Sequence, residues 1–195
     1  MTVTPGVVRG LVCALGVFGL VLCADVCTAQ EPTAIEPHVK AAFIYNFLKF
    51  IEWPAETLAA GPLIVCVTGS PAVADSLKKA TTQGRPLDHD VTVLEITADA
   101  VPKSCHLIYV GQADEATARR WLALLNGSTA FSVSDCARFA RLGGVANFFV
   151  EDGRLRFAVN VDAARRASLH ISSRMLMLAT IVKDEPASRD VRPLR

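Results

Sequence analysis

The cysteines carry the most specific chemical signal in this chain. Cys66 lies inside the apolar run PLIVCVTG and Cys105 opens a second one, CHLIYVG. Neighbouring strands run about 4.8 Å apart, a separation that a disulfide spans. If those two strands are adjacent, a bond between them closes a loop of about 40 residues and stabilises the fold by about 4 kcal/mol on the chain-entropy view. Two buried thiols are the alternative. Cys136 is then the unpaired cysteine, either a small core residue or a redox-responsive thiol. His38, His89, His106 and His170 fall in separate elements without the close spacing of metal ligands, so no metal site and no cofactor are expected. The chain has no G-x-S-x-G elbow, and nothing places a serine beside His106 or His170, which argues against a serine hydrolase. A thiol-dependent enzyme would need a partner for Cys136, and none is apparent. His170 and Arg174 lie either side of Ser172 and Ser173 at the start of an expected helix, where the dipole favours an anion. A surface ion pair is the plainer role for Arg174; a small carboxylate or phosphate ligand is the sharper one.

The elements that must position these residues read clearly. Residues 143–160, GGVANFFVEDGRLRFAVN, place two apolar runs around Asp152-Gly153, the sequence of a type I′ hairpin turn. Residues 62–69 and 105–111 are near-continuous apolar runs that suit strands covered on both faces, and residues 89–96 and 129–133 read as further strands. Helices are expected from Ser70-Pro71 onward, with Ser70 as N-cap, and over residues 114–125, with a short helical turn over 136–141 that Ser134-Asp135 would cap, and a last helix over 172–182. Residues 37–53, PHVKAAFIYNFLKFIEW, put Phe43, Ile44, Phe47, Phe50 and Ile51 on one helical face and His38, Asn46, Lys49 and Glu52 on the other. Covering a sheet is the plainer role for that face. Aromatic residues in such numbers also anchor interfaces, which makes Phe43, Phe47, Phe50 and Trp53 candidates for partner binding and a homodimer the expected assembly. Lys40 points into the apolar side, where it either snorkels to water or meets an anion. Strands alternating with helices imply right-handed parallel crossovers. The expected fold is a single three-layer α/β domain with a mixed, partly parallel sheet flanked by helices and a late antiparallel hairpin.

Arg9, the 12-residue apolar run at 11–22 and the small residues up to Ala29 have the form of a signal peptide cleaved after Ala29, too short to span a bilayer. The expected organisation is a signal peptide at 1–29, one domain over 30–183 and a disordered tail over 184–195. Cys13, Cys23 and Cys27 leave with the signal, and export permits a disulfide between two of the three that stay. The mature chain keeps 19 Lys and Arg against 18 Asp and Glu, with no basic stripe, which excludes nucleic acid as a partner.

Taken in series, KAAFIYNFLKFIEWP, PLIVCVTG, GRPLDHDVTV, CHLIYVG and the long run from SVSDCARFARLGG to ISSRMLMLA resemble the YfiR family of exported bacterial proteins. The likeness runs from about residue 39 to 182. It implies a periplasmic regulator without enzymatic activity, which binds the periplasmic part of an inner-membrane diguanylate cyclase or a related receptor and represses it. Cyclic di-GMP and biofilm formation would then fall. It also implies the pairing of Cys66 with Cys105. With Cys136 as the sole later cysteine, the chain departs from the family's best-known member, and a second disulfide within the monomer is excluded. The candidate contact surface comprises the aromatic helix and residues 164–174, with Arg165, Arg166 and Arg174. A periplasmic module that senses a small anion near His170 and Arg174 is the alternative.

Overall fold

The structure is a computed structural model that describes residues 35–58, 61–84, 87–97 and 103–185. The expected signal peptide and residues 186–195 of the expected tail lie outside the described residues, whereas Asp184 and Glu185, the first two residues of that tail, are held by ion pairs to Arg166 and Arg138. Among the described residues, five α-helices, α1 (Ile35–Phe47), α2 (Pro71–Gln83), α3 (Glu115–Leu124), α4 (Val161–Arg166) and α5 (Ser173–Leu176), accompany nine strands. The strands are β1 (Ile51–Glu52), β2 (Leu63–Thr68), β3 (Val91–Glu95), β4 (Leu107–Val110), β5 (Phe131–Ser134), β6 (Ala146–Glu151), β7 (Arg154–Asn160), β8 (His170–Ile171) and β9 (Thr180–Val182). Seven of them form one sheet in the order β3-β2-β4-β5-β6-β7-β9. All its neighbours are parallel except β6 and β7, the hairpin. β1 and β8 pair antiparallel as a separate two-stranded ribbon.

The three layers follow from alternation along the central strands. In β4, Leu107 and Tyr109 join the larger core cluster with Ile44 and Phe47 of α1 and Val73 and Leu77 of α2, on one face of the sheet. Ile108 and Val110 point the other way and pack with Trp121 of α3. The expected apolar runs are buried on both faces for this reason. Asp152 and Gly153 both have positive φ, 50° and 69°, as the expected type I′ turn requires. Phe148 and Phe157 face each other across the hairpin, as do Val150 and Leu155.

Four local readings differ from the structure. The helix expected to reach Trp53 ends at Phe47, and Ile51 turns to pair with Ile171. Ser70 occupies the N-cap position of α2 without a side-chain cap; its carbonyl accepts from Val73 and Ala74 instead. Residues 136–144 form successive turns and no helix. The helix expected over 172–182 is one four-residue turn of helix followed by β9, because the β-branched run Thr180-Ile181-Val182 extends along the edge of β7.

Candidate partner-binding surface

Cys66 and Cys105 form a disulfide with their Cα atoms 5.9 Å apart, closing a sequence separation of 39. Cys66 sits in β2 and Cys105 just ahead of the adjacent β4, and both pack under Trp121 of α3. Cys136 is a free, half-buried thiol whose backbone N–H donates to Ser134 Oγ at 3.1 Å.

The sheet order reverses between β2 and β4, and ligands of open α/β sheets sit at that point, beyond the carboxyl ends of the strands. Here the two loops touch through backbone. A Cβ on Gly69, whose φ is +71°, would stand 2.2 Å from Gly111 O, and Gly111 N donates to Thr68 O at 2.8 Å. Both ring nitrogens of His106 are taken. Nδ1 accepts from Ile64 N at 3.0 Å, which leaves Nε2 to donate to Thr57 O at 2.9 Å. His38 does meet a serine, Ser76, at 3.0 Å, a contact the sequence reading missed. That serine is buried and donates to Ala72 O, so the imidazole has no serine proton to receive.

Lys40 meets anions from the protein itself. Its ammonium lies 2.6 Å from Glu36 and 3.0 Å from Asp135, while Asp135 Oδ2 also accepts from the Tyr109 hydroxyl at 2.7 Å. Burial alone would lower the Lys40 pKa, but the hydrogen bonds and charges of Glu36 and Asp135 outweigh it and raise it above its ordinary value. Burial, reinforced by the Asp135 charge, pushes the Tyr109 hydroxyl far above its ordinary value, so it stays protonated and donates. The cluster ties α1 to the carboxyl ends of β4 and β5.

The residues read as contact candidates fall in several environments. Phe47 and Trp53 are core residues, 2% and 8% exposed, and Phe43 and Phe50 are half-buried against the same core. The Phe47 ring lies 4.9 Å from Phe157 and stacks on Phe148 at 5.9 Å; the Trp53 indole donates to His106 O. Phe47 and Trp53 are therefore taken up by the core, while Phe43 and Phe50 keep part of their surface open. Arg165 and Arg166 are exposed at the end of α4, paired with Asp162 and Asp184. His170 stands in β8 opposite Glu52, and Arg174 is exposed in α5. Neither lines any of the five cavities described among these residues.

What the sequence reading did not single out is an apolar surface just beyond Arg174. Met177 is 79% exposed, Leu178 71% and Ile181 51%, and Ile181 lies in β9 at the edge of the sheet. Read as one helix, residues 172–182 give no reason for three exposed apolar side chains. The signal was the β-branched triplet, which favours a strand and so ends the helix early.

A family model described as YfiR/HmsC-like (DUF4154) matches residues 37–180, well over half of the chain. The chain belongs to the YfiR/HmsC-like family. The match runs from within α1 to the first residue of β9, so Met177 and Leu178 lie inside it and Ile181 one residue beyond. Among solved structures, the chain is similar to a conserved domain protein from Vibrio cholerae O1 biovar El Tor. The likeness has a TM-score of 0.51 at 13% identity over 75% of this chain, and it shows the fold alone. The chain spans 60% of the length of that structure.

Proposed function

We propose that this YfiR/HmsC-like protein is a non-enzymatic periplasmic regulator. It binds the periplasmic part of an inner-membrane diguanylate cyclase and holds it inactive, lowering cyclic di-GMP and biofilm formation. The observation that carries this reading is the exposed apolar surface of Met177, Leu178 and Ile181 at an open sheet edge. Large exposed apolar side chains close together in sequence are candidates for an interaction surface, and an unpaired edge supplies backbone hydrogen-bonding groups to a partner. A disulfide across the two central strands suits an exported scaffold that must stay rigid. Among the described residues, no helix is long and apolar enough to cross a membrane. Control of the cyclase then comes from binding its inactive state better than its active one.

The test is the affinity of the purified protein for the periplasmic domains of its host's diguanylate cyclases, measured by interferometry. Burying each apolar side chain contributes about 1.5–3 kcal/mol, so replacing all three of Met177, Leu178 and Ile181 by Ser weakens binding at least tenfold. Leu94→Ser, on β3 at the opposite edge of the sheet, leaves it unchanged. Equal affinities for the wild type and the triple variant would remove this surface from the account.

A further inference from the structure

The described residues just beyond β9, 183–185, are held by charge, and what holds them is a built carboxylate site. Val182 is the last buried side chain among the described residues, seated against Ala140 and Ala158. Asp184 then accepts two hydrogen bonds from Arg166, at 2.8 and 3.1 Å, and one from Asn160 Nδ2 at 2.6 Å. Glu185 pairs with Arg138, and its backbone N–H donates to Arg141 O at 2.8 Å. Asn160 is fully buried and fixed in place: its Oδ1 accepts from Ala163 N, capping α4, and its Nδ2 also donates to Ala140 O. A buried amide, a guanidinium that binds in a fork, a second guanidinium and a backbone acceptor thus converge on two consecutive acidic residues.

The resident segment is a poor fit for the edge it occupies. β7 runs seven residues, Arg154–Asn160, yet β9 pairs only with Ala158, Val159 and Asn160. The rest of that edge, from Arg154 to Phe157, is not paired by β9. Two of the three β9 side chains, Thr180 and Ile181, face solvent, and the ion pairs that follow are surface pairs, which hold weakly.

We infer that this site docks an extended acidic segment of the protein partner, which adds to β7 in place of residues 180–185 and puts its carboxylates on Arg166, Asn160 and Arg138. The inference rests on the partner-binding reading above: the partner first meets Met177, Leu178 and Ile181 while β9 is in place, and residues 180–185 then yield the β7 edge to its segment. A longer parallel strand carrying the same acidic pair gains the ladder that β9 leaves unmade, while Arg154 stands at the start of that stretch and Arg156 pairs with Glu151. The chain's own Asp184 and Glu185 act as the occupant that a partner must displace.

The experiment uses the full chain and a fluorescent peptide of residues 176–185, LMLATIVKDE, read by anisotropy. The double variant Asp184→Asn, Glu185→Gln keeps the shape of the segment and an acceptor for Asn160 but weakens its charge clamp. It is expected to bind the peptide at least tenfold more tightly than wild type. Arg166→Ala added to it removes that gain, and the neutral peptide LMLATIVKNQ binds neither form; circular dichroism reports that each variant is folded. Equal binding by wild type and double variant, or indifference to peptide charge, overturns the inference. A concentration-dependent dimer of the double variant that ignores the peptide assigns the site to a second copy and overturns it too. Against the cyclase domain, the double variant binds more tightly than wild type if this site is used. If that domain binds both equally, the regulator reading stands and this inference falls.

Discussion

Lys40 shows how a single residue on an apolar helix face is accommodated. The sequence leaves it a choice between reaching water and meeting an anion, and the structure supplies Glu36 one turn earlier and Asp135 from the end of β5. No periodicity could announce Asp135, which is nearly a hundred residues away in sequence. The Lys40 and Asp135 side chains are 11% and 21% exposed, so removing the ammonium leaves the Asp135 carboxylate largely desolvated with the Tyr109 hydroxyl as its main support. Lys40→Met is expected to lower stability in urea by about 1–3 kcal/mol. The sign of its pH dependence follows from the raised Lys40 pKa. The contribution is fully present below the ordinary value of 10.5 and is lost as pH rises through the higher folded value, so the wild type and Lys40→Met converge in strongly alkaline solution. A gap that stays constant through that range would show that the ammonium is not what stabilises the cluster.

Among the elements, those with a local rule were the legible ones. Asp152-Gly153 between alternating apolar runs can make little but a tight hairpin, and both residues take the positive φ that the turn demands. Gly153→Ala forces a Cβ into that conformation and is expected to cost about 1 kcal/mol, read as a lower urea midpoint without a change in slope. No loss would mean that the turn relaxes to another type. The buried strands β2 and β4 were equally readable, since a run covered by helices on both faces has no polar phase. Residues 161–182 were not. α4 rests on a cap from Asn160, α5 is one turn long, and β8 and β9 exist only because β1 and β7 offer them an edge. Such short elements are set by distant partners, and their own composition says little. For the same reason the exposed trio Met177, Leu178 and Ile181 was invisible until β9 was placed.

At the scale of the molecule, the Cys66–Cys105 bond joins neighbouring central strands and closes a loop of about 40 residues. Replacing both cysteines by Ser is expected to lower stability by about 4 kcal/mol, and reduction of the wild type by dithiothreitol to match it. A difference below about 1 kcal/mol would show that the sheet holds its register without the bond. The scaffold has a sheet with packed faces and a switch-point crevice closed by Gly69 and Gly111, and among the described residues Ile181 stands exposed on the edge strand β9. The most direct test of that account is cellular cyclic di-GMP in a strain lacking this protein, complemented by the wild type or by the Met177, Leu178 and Ile181 to Ser variant. A level that rises on deletion, falls with the wild type and stays high with the variant is the predicted result. A level unchanged by deletion, in cells that express the protein, would contradict repression of a diguanylate cyclase.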